Sequence, residues 1–261
     1  MTSVICDFDE TTGIGRITLN RPEVLNALDV ATARAFQAAV RSLTERAGLR
    51  VVVIGGAGRS FAAGGDVQSF AAGGPDKTGE VVHATLDALN PAIIALRQHP
   101  APVITAVQGV AAGAGLSLAV SGDLVVAENG ARFVVAYDRI GATPDCGLTW
   151  FLPRRVGRGL AFRMMMTGAT LDAGAALTAG LVDEVAPAGG LGDAVTALAT
   201  RIAAGPTQSY GHFKRLMDSG ASLAQQLEDE RAAFADSIHT EDFSEGTSAF
   251  LEKRQPRFIG Q

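Results

Sequence analysis

The sequence predicts an α/β fold built around a parallel sheet, and three observations carry that prediction. Two apolar strands each run into a glycine-rich loop, VVVIGGAGRSFAAGGD from Val51 and VITAVQGVAAGAG from Val103. Helical sequence follows each loop, the order expected of parallel strands joined by crossovers. The strands are continuous apolar runs rather than alternating ones, as strands buried on both faces are.

Residues 4–20 read as a hairpin, in which Ile17 and Leu19 alternate with Arg16 and Thr18 before Pro22 ends the second strand. Asp29 is placed to cap a helix running to about Ala47, with Ala33, Phe36, Val40, Leu43 and Ala47 on one face and Gly48 as the stop. Val51 to Gly55 is the first buried strand. Glu80 to Arg97 is helical, with Val82, Leu86, Leu89, Ile93 and Leu96 on one face and Pro91 as a kink. Ala101 to Ala127 reads as a strand (Val103 to Val107), a glycine turn (Gly109 to Gly113), a short helix from about Ala114, and a strand from Leu124.

Further on, Ala131 to Tyr137 reads as a strand, DRIGATPDCGLTW as an irregular loop, and Gly157 to Met166 as a helix. Asp172 caps a short helix ending at Gly180, and LVDEV is a small strand. The boundary is expected at Pro187 to Gly192, between a core of residues 1–190 and a helical region of residues 191–261. Helices there are expected at Leu191–Ala203, Thr207–Asp218, Leu223–Ser237 and Asp242–Lys253, the last opened by Asp242 and Glu245 as a capping box.

Composition narrows the function. With 261 residues, 47% hydrophobic, the chain can build a large core. A net charge of −5 without a long basic run leaves no nucleic-acid footprint. Cys6 and Cys146 form neither a disulfide framework nor metal-ligand spacing, and the four histidines have no catalytic partner in sequence. The uncharged run from Ala101 to Ser121 is as long as a membrane span, but its glycines, proline, glutamine and serines and its lack of a basic flank argue against one. MTSVICDFDE lacks the layout of a secretory leader, so a cytoplasmic protein is expected.

Neither glycine loop is a phosphate loop, because no Gly-Lys-Ser/Thr follows. A loop of small residues at a helix start instead offers unpaired amide N–H groups to a negatively charged group.

Together these stretches resemble the crotonase (enoyl-CoA hydratase/isomerase) superfamily over essentially the whole chain. RPEVLNAL is similar to its N-terminal signature, SFAAGGDV to its first oxyanion loop and AVQGVAAGAGLSLA to its second. PDCGLTWFLPRRVG and FLEKRQPRF are similar to the ring-opening epoxyphenylacetyl-CoA isomerases of phenylacetate degradation. The resemblance implies a spiral of ββα turns and a C-terminal helical region that assembles a homotrimer or a dimer of trimers. It implies an acyl-CoA thioester substrate, coenzyme A being part of that substrate, with no other cofactor, no metal, no nucleic acid and no membrane.

By position, the resemblance assigns the two backbone N–H donors for the thioester oxygen to Ala63 and Ala114. Leu25, Ala27 and Val67 match positions lining the CoA and acyl channel. Gly65, Asp66, Val110, Tyr137 and Lys253 are further substrate-side candidates, Asp66 being read as a loop-structuring carboxylate rather than an acid or base. Hydratases of the family carry two glutamates, and those positions hold Ser117 and Tyr137 here. Asp145, in TPDCG, falls where the isomerases carry a catalytic aspartate, with Asp138 as second choice. The expectation is therefore an isomerase that shifts a double bond or opens an epoxide. The rivals are a hydratase, a hydrolase-like member with an aspartate nucleophile, and a non-catalytic acyl-CoA-binding paralogue.

Overall fold

A computed structural model describes residues 2–71, 74–218, 236 and 239–261. Strands β1 (Val4–Asp9) and β2 (Ile14–Leu19) form the expected antiparallel hairpin. Its turn is held by Asp9, whose carboxylate accepts from the Thr11 N–H at 2.9 Å and the Thr12 hydroxyl at 2.7 Å. β2 continues in parallel into β3 (Val51–Gly56), β4 (Val103–Val107), β6 (Leu124–Glu128) and β9 (Glu184–Ala186), completing a six-stranded sheet. A smaller sheet of three strands holds β5 (Val110–Ala112), β7 (Arg132–Val134) and β8 (Thr170–Asp172).

One step repeats: a strand in the large sheet, a short strand or bridge in the small one, then a helix. β3 leads to Ala62, bridged to Ala111, and then to α2 (Val67–Ala71) and α3 (Gly74–Gln98). β4 leads to β5 and α4 (Ala114–Ser121), and β6 leads to β7 and α5 (Leu148–Thr167). This is the spiral of ββα turns. It brings the loop after β3 and the turn before α4 side by side.

Both faces of the large sheet are covered at its centre, which is why β3, β4 and β6 are mostly apolar. On one face, α1 (Val30–Thr44) lays Ala33, Phe36, Val40 and Leu43 into the main core, opposite α3. Its N-terminus is capped by Asp29, which accepts from the Thr32 N–H at 2.7 Å. On the other face, Val195, Leu198 and Ala199 of α7 (Leu191–Ala203) pack with Ile14, Val51, Val53, Ile104 and Val126. The first helix beyond the expected boundary therefore covers the sheet itself. α6 (Ala173–Thr178) is capped by Asp172 as expected, through the Ala175 N–H at 2.8 Å.

α8 (Thr207–Asp218) is pinned by charge. Lys214 Nζ donates to the carbonyls of Leu96, His99 and Ala101 at 3.0–3.1 Å and meets Asp123 at 3.0 Å. Arg97 joins the same group, pairing with Asp123 at 2.6 Å and Asp218 at 2.5 Å.

Four expectations are corrected. The turn after β4 contains a strand, β5, since residues 110–112 find a partner in β7. Residues 137–140 form a 3-10 helix rather than continuing the strand from Ala131. α5 begins at Leu148, and Gly157, with φ of 74°, is a kink inside it rather than its start. The capping box of the last helix, α9 (Glu241–Glu252), does not form: Thr240 Oγ1 accepts the Phe243 N–H at 3.0 Å. Asp242 instead accepts from the Ile259 and Gly260 N–H groups at 2.6 and 2.8 Å, and Glu245 pairs with Arg254 at 2.6 Å. The helix expected over Leu223–Ser237 lies outside the described residues apart from Asp236. Among the described residues no helix is long and apolar enough to cross a membrane.

Candidate active site

Two backbone segments meet at the site. Gly64, with φ of 103°, packs against the turn before α4: a β-carbon on it would lie 2.9 Å from Ala112 O and 3.5 Å from Ala114 N. Only glycine combines that φ with that approach. Ala114 is the first residue of α4, and its N–H has no backbone acceptor among the described residues. It has the amide of an uncapped helix start.

The partner donor differs from the expected one. Ala63 N–H donates to Leu25 O at 2.9 Å, so it is already committed. Two residues on, Leu28 N–H donates to Gly64 O at 2.8 Å and Asp66 N–H to Leu28 O at 3.0 Å, a parallel bridge centred on Gly65. The central residue of such a bridge turns its own N–H to the opposite edge. Gly65 N–H thus faces away from Leu28 and takes no backbone acceptor among the described residues. Gly65 and Ala114 are thus amides of these two segments left without a backbone acceptor among the described residues.

The loop carrying Gly65 is fixed from below. Arg21 pairs with Asp29 at 2.9 Å and Asp66 at 3.4 Å, joining the starts of α1 and α2, and also donates to Ala27 O at 2.8 Å. Asp66 in turn accepts the Ser69 N–H at 3.3 Å, which bears out its loop-structuring role. Beneath it lies Asn26, 1% exposed, whose amide donates to the carbonyls of Ala57, Ser60 and Phe61 at 2.8–3.1 Å and accepts the Arg21 N–H at 2.8 Å. Sequence reasoning passed over Asn26. Its pointer was an amide in RPEVLNAL able to take the left-handed φ of 57° found there.

Ser117, on α4, and Tyr137, after β7, are buried and face each other with their oxygens 3.2 Å apart. Tyr137 Oη donates to Asp145 Oδ1, so one chain joins all three side chains. Burial, and then the charge of Asp145 and the hydrogen bond to it, push the Tyr137 hydroxyl well above its ordinary range and keep it a neutral donor. Cys146 is raised for the same leading reason, burial, with Asp145 beside it. Ala136 and Cys146, flanking Tyr137 and Asp145, both have positive φ, 65° and 48°. Backbone strain therefore sits next to both groups. Asp138, the second choice, is exposed and turned towards Gly168, away from this cluster.

Asp145 borders a cavity of about 830 Å³ whose apolar walls include Leu86, Ile93, Ile94, Trp150 and Phe151. Of the other candidates, Leu25 lies at the site with φ of 54°, Ala27 is buried, and Val67 is 49% exposed at the start of α2. Val110 is half-buried in β5, next to the bridge that joins the two loops. Lys253 is exposed beyond α9, with no hydrogen bond to the Asp145 group. Among the described residues no three His, Cys, Asp or Glu side chains are grouped to hold a metal ion. Two amide donors and one carboxylate are what polarising a carbonyl and moving a proton beside it require.

A family model described as enoyl-CoA hydratase/isomerase matches residues 9–261. The chain is 37% identical over 251 residues to 1,2-epoxyphenylacetyl-CoA isomerase of Escherichia coli (strain K12), covering 95% of this chain and 96% of that one. It is 36% identical over 248 residues to 2,3-dehydroadipyl-CoA hydratase of the same organism, covering 94% of each. A crystal structure of enoyl-CoA hydratase from Bacillus anthracis superposes with a TM-score of 0.91 at 31% identity, over 99% of this chain and 100% of that one.

Proposed function

Because the chain belongs to the enoyl-CoA hydratase/isomerase family, we propose that it is an acyl-CoA isomerase with Asp145 as its single proton shuttle. The Gly65 and Ala114 N–H groups hold the thioester oxygen. Asp145 takes a proton from the carbon α to the carbonyl, and the electron pair moves into the thioester to give a dienolate. The proton then returns at the γ-carbon, the double bond now lies α,β, and the carboxylate is regenerated. Each donor contributes about 3 kcal/mol of transition-state stabilisation in comparable sites. An epoxidised acyl-CoA, the substrate class named for one relative, meets the same donors and carboxylate.

The observation that carries this reading is the hydrogen bond from Tyr137 to Asp145. It links one carboxylate to Tyr137 and Ser117, the positions matching the paired glutamates of hydratases, which themselves supply none. The same reading includes a homotrimer or a dimer of trimers, supported by the exposed apolar side chains of Ile94, Trp150, Phe213 and Met217. Incubation with 3-enoyl-CoA and, separately, 2-enoyl-CoA tests the activity by mass spectrometry. Conversion of the first without change of mass is expected. Gain of one water by the second, at a comparable rate, makes the protein a hydratase instead. Binding without either reaction makes it a paralogue that has lost these chemistries.

A further inference from the structure

The chain from Asp145 does not end at Ser117. Ser117 Oγ lies 3.2 Å from Gly113 O as well as 3.2 Å from Tyr137 Oη. Tyr137 gives its one proton to Asp145, so its oxygen is left to accept, and the Ser117 hydroxyl proton is shared between Tyr137 Oη and Gly113 O. The carbonyl of Gly113 and the N–H of Ala114 belong to one planar peptide unit. A donor on that carbonyl drains electron density through the peptide and strengthens the N–H at its other end. Gly113 O also accepts the Ser117 N–H, at 3.0 Å.

We propose that Tyr137 and Ser117 are positioning residues that tie the Asp145 carboxylate to the peptide unit presenting the Ala114 N–H. The base and the oxyanion donor are then one hydrogen-bonded assembly rather than two independent parts. The assembly fixes the carboxylate relative to the carbonyl oxygen. This inference rests on the reading of Asp145 as the base and Ala114 as a donor.

Other groups around the carboxylate do not duplicate the role. The Cys146 thiol, held neutral by burial, also hydrogen-bonds the Asp145 side chain. Across the cavity, Arg97 is committed to Asp123 and Asp218, and Arg215 lies 2.7 Å from His212 Nδ1. Tyr137 is the donor that joins Asp145 to Ser117.

Two readouts test the proposal in Tyr137→Phe, Ser117→Ala and Ser117→Thr. The first is the split between kcat and KM with 3-enoyl-CoA. In Tyr137→Phe kcat falls about tenfold, while KM stays within about twofold. Ser117→Ala shows a smaller change of the same kind, and Ser117→Thr, which keeps the hydroxyl, restores it. A rise in KM with kcat unchanged would reduce Tyr137 to packing and overturn the proposal. The second readout needs no turnover: the carbonyl resonance of bound [1-13C]butyryl-CoA. Its downfield displacement shrinks in Ser117→Ala and returns in Ser117→Thr; identical displacements in all three proteins contradict the link to Ala114. Asp145→Asn separates the two layers. If it keeps full isomerase activity, the reading of Asp145 fails, whereas an inactive Asp145→Asn beside an unaltered Tyr137→Phe sinks only the assembly.

Discussion

Gly64 lies against Ala114 so closely that a single added methyl group would come within 3.5 Å of the Ala114 nitrogen. This contact sets the spacing of the two amide donors, and it predicts the outcome of Gly64→Ala. The new β-carbon meets Ala112 O at 2.9 Å, and the φ of 103° is strained for any residue but glycine. We expect kcat/KM to fall about 100-fold or more through loss of donor geometry, with a loss of stability of about 1–3 kcal/mol. Steady-state kinetics beside thermal unfolding separates the two. A stable, fully active variant would remove this contact from the account.

Asn26 predicts a second outcome. Its side-chain amide serves three carbonyls in the segment leading to the donor loop, and its own carbonyl oxygen takes the Arg21 N–H. Asn26→Ala strands these groups in the interior, at about 2–4 kcal/mol of stability. Asn26→Asp is worse, since an ionised carboxylate cannot donate to carbonyls. Urea unfolding of both variants measures this; a change under about 0.5 kcal/mol, the usual scatter of a surface site, contradicts it.

The docking of α8 rests on Lys214, 5% exposed. Lys214→Met keeps the apolar stem but leaves three carbonyls of the α3 end and part of the Asp123 charge unanswered, costing about 2–4 kcal/mol. Hydrogen exchange should show faster exchange in residues 207–218, with β3 and β4 little altered. Unchanged protection of α8 is the contrary result.

His99 gives a pH dependence with a definite sign. Burial, and then the charge of Lys214, lower it from the ordinary 6.5, and its Nδ1 accepts the Ala101 N–H at 3.1 Å in the neutral form. Because the folded value lies below the unfolded one, the unfolded chain binds the proton first. The stability contributed by neutral His99 is therefore present above 6.5 and is lost as pH falls below it towards the folded value. Urea midpoints should decline between about pH 7.5 and about pH 5.5, and His99→Gln should flatten that decline. An equal slope in the variant removes His99 from the explanation.

The fold was largely legible because its strands and caps are local. Asp29 and Asp172 cap where the spacing of apolar residues puts them, and Val51 to Gly56 pairs as a buried parallel strand. Asp242 failed because a capping carboxylate is also a good acceptor for a returning chain, and the tail at Ile259 and Gly260 won it. β5 was missed because three residues in a glycine-rich turn become a strand only when β7, twenty residues on, pairs with them. At the site, the family resemblance pointed to Asp145 and Ala114, but the direction in which one amide points is a matter of register. The bond from Ala63 N–H to Leu25 O, and with it the shift to Gly65, depends on a left-handed turn at Leu25 and Asn26. Of that turn only Asn26 leaves a sign in the sequence, and Leu25 leaves none.

The most direct measurement follows a 3-enoyl-CoA in D2O with wild type and Asp145→Asn, scoring conversion and deuterium uptake together by mass spectrometry. The account predicts conversion to the 2-enoyl product with deuterium entering at the α- and γ-carbons in wild type. In Asp145→Asn, CoA-thioester binding survives while both signals fall by at least about 100-fold. Isomerisation and exchange at wild-type rates in Asp145→Asn would place the proton shuttle elsewhere and contradict the account at its centre.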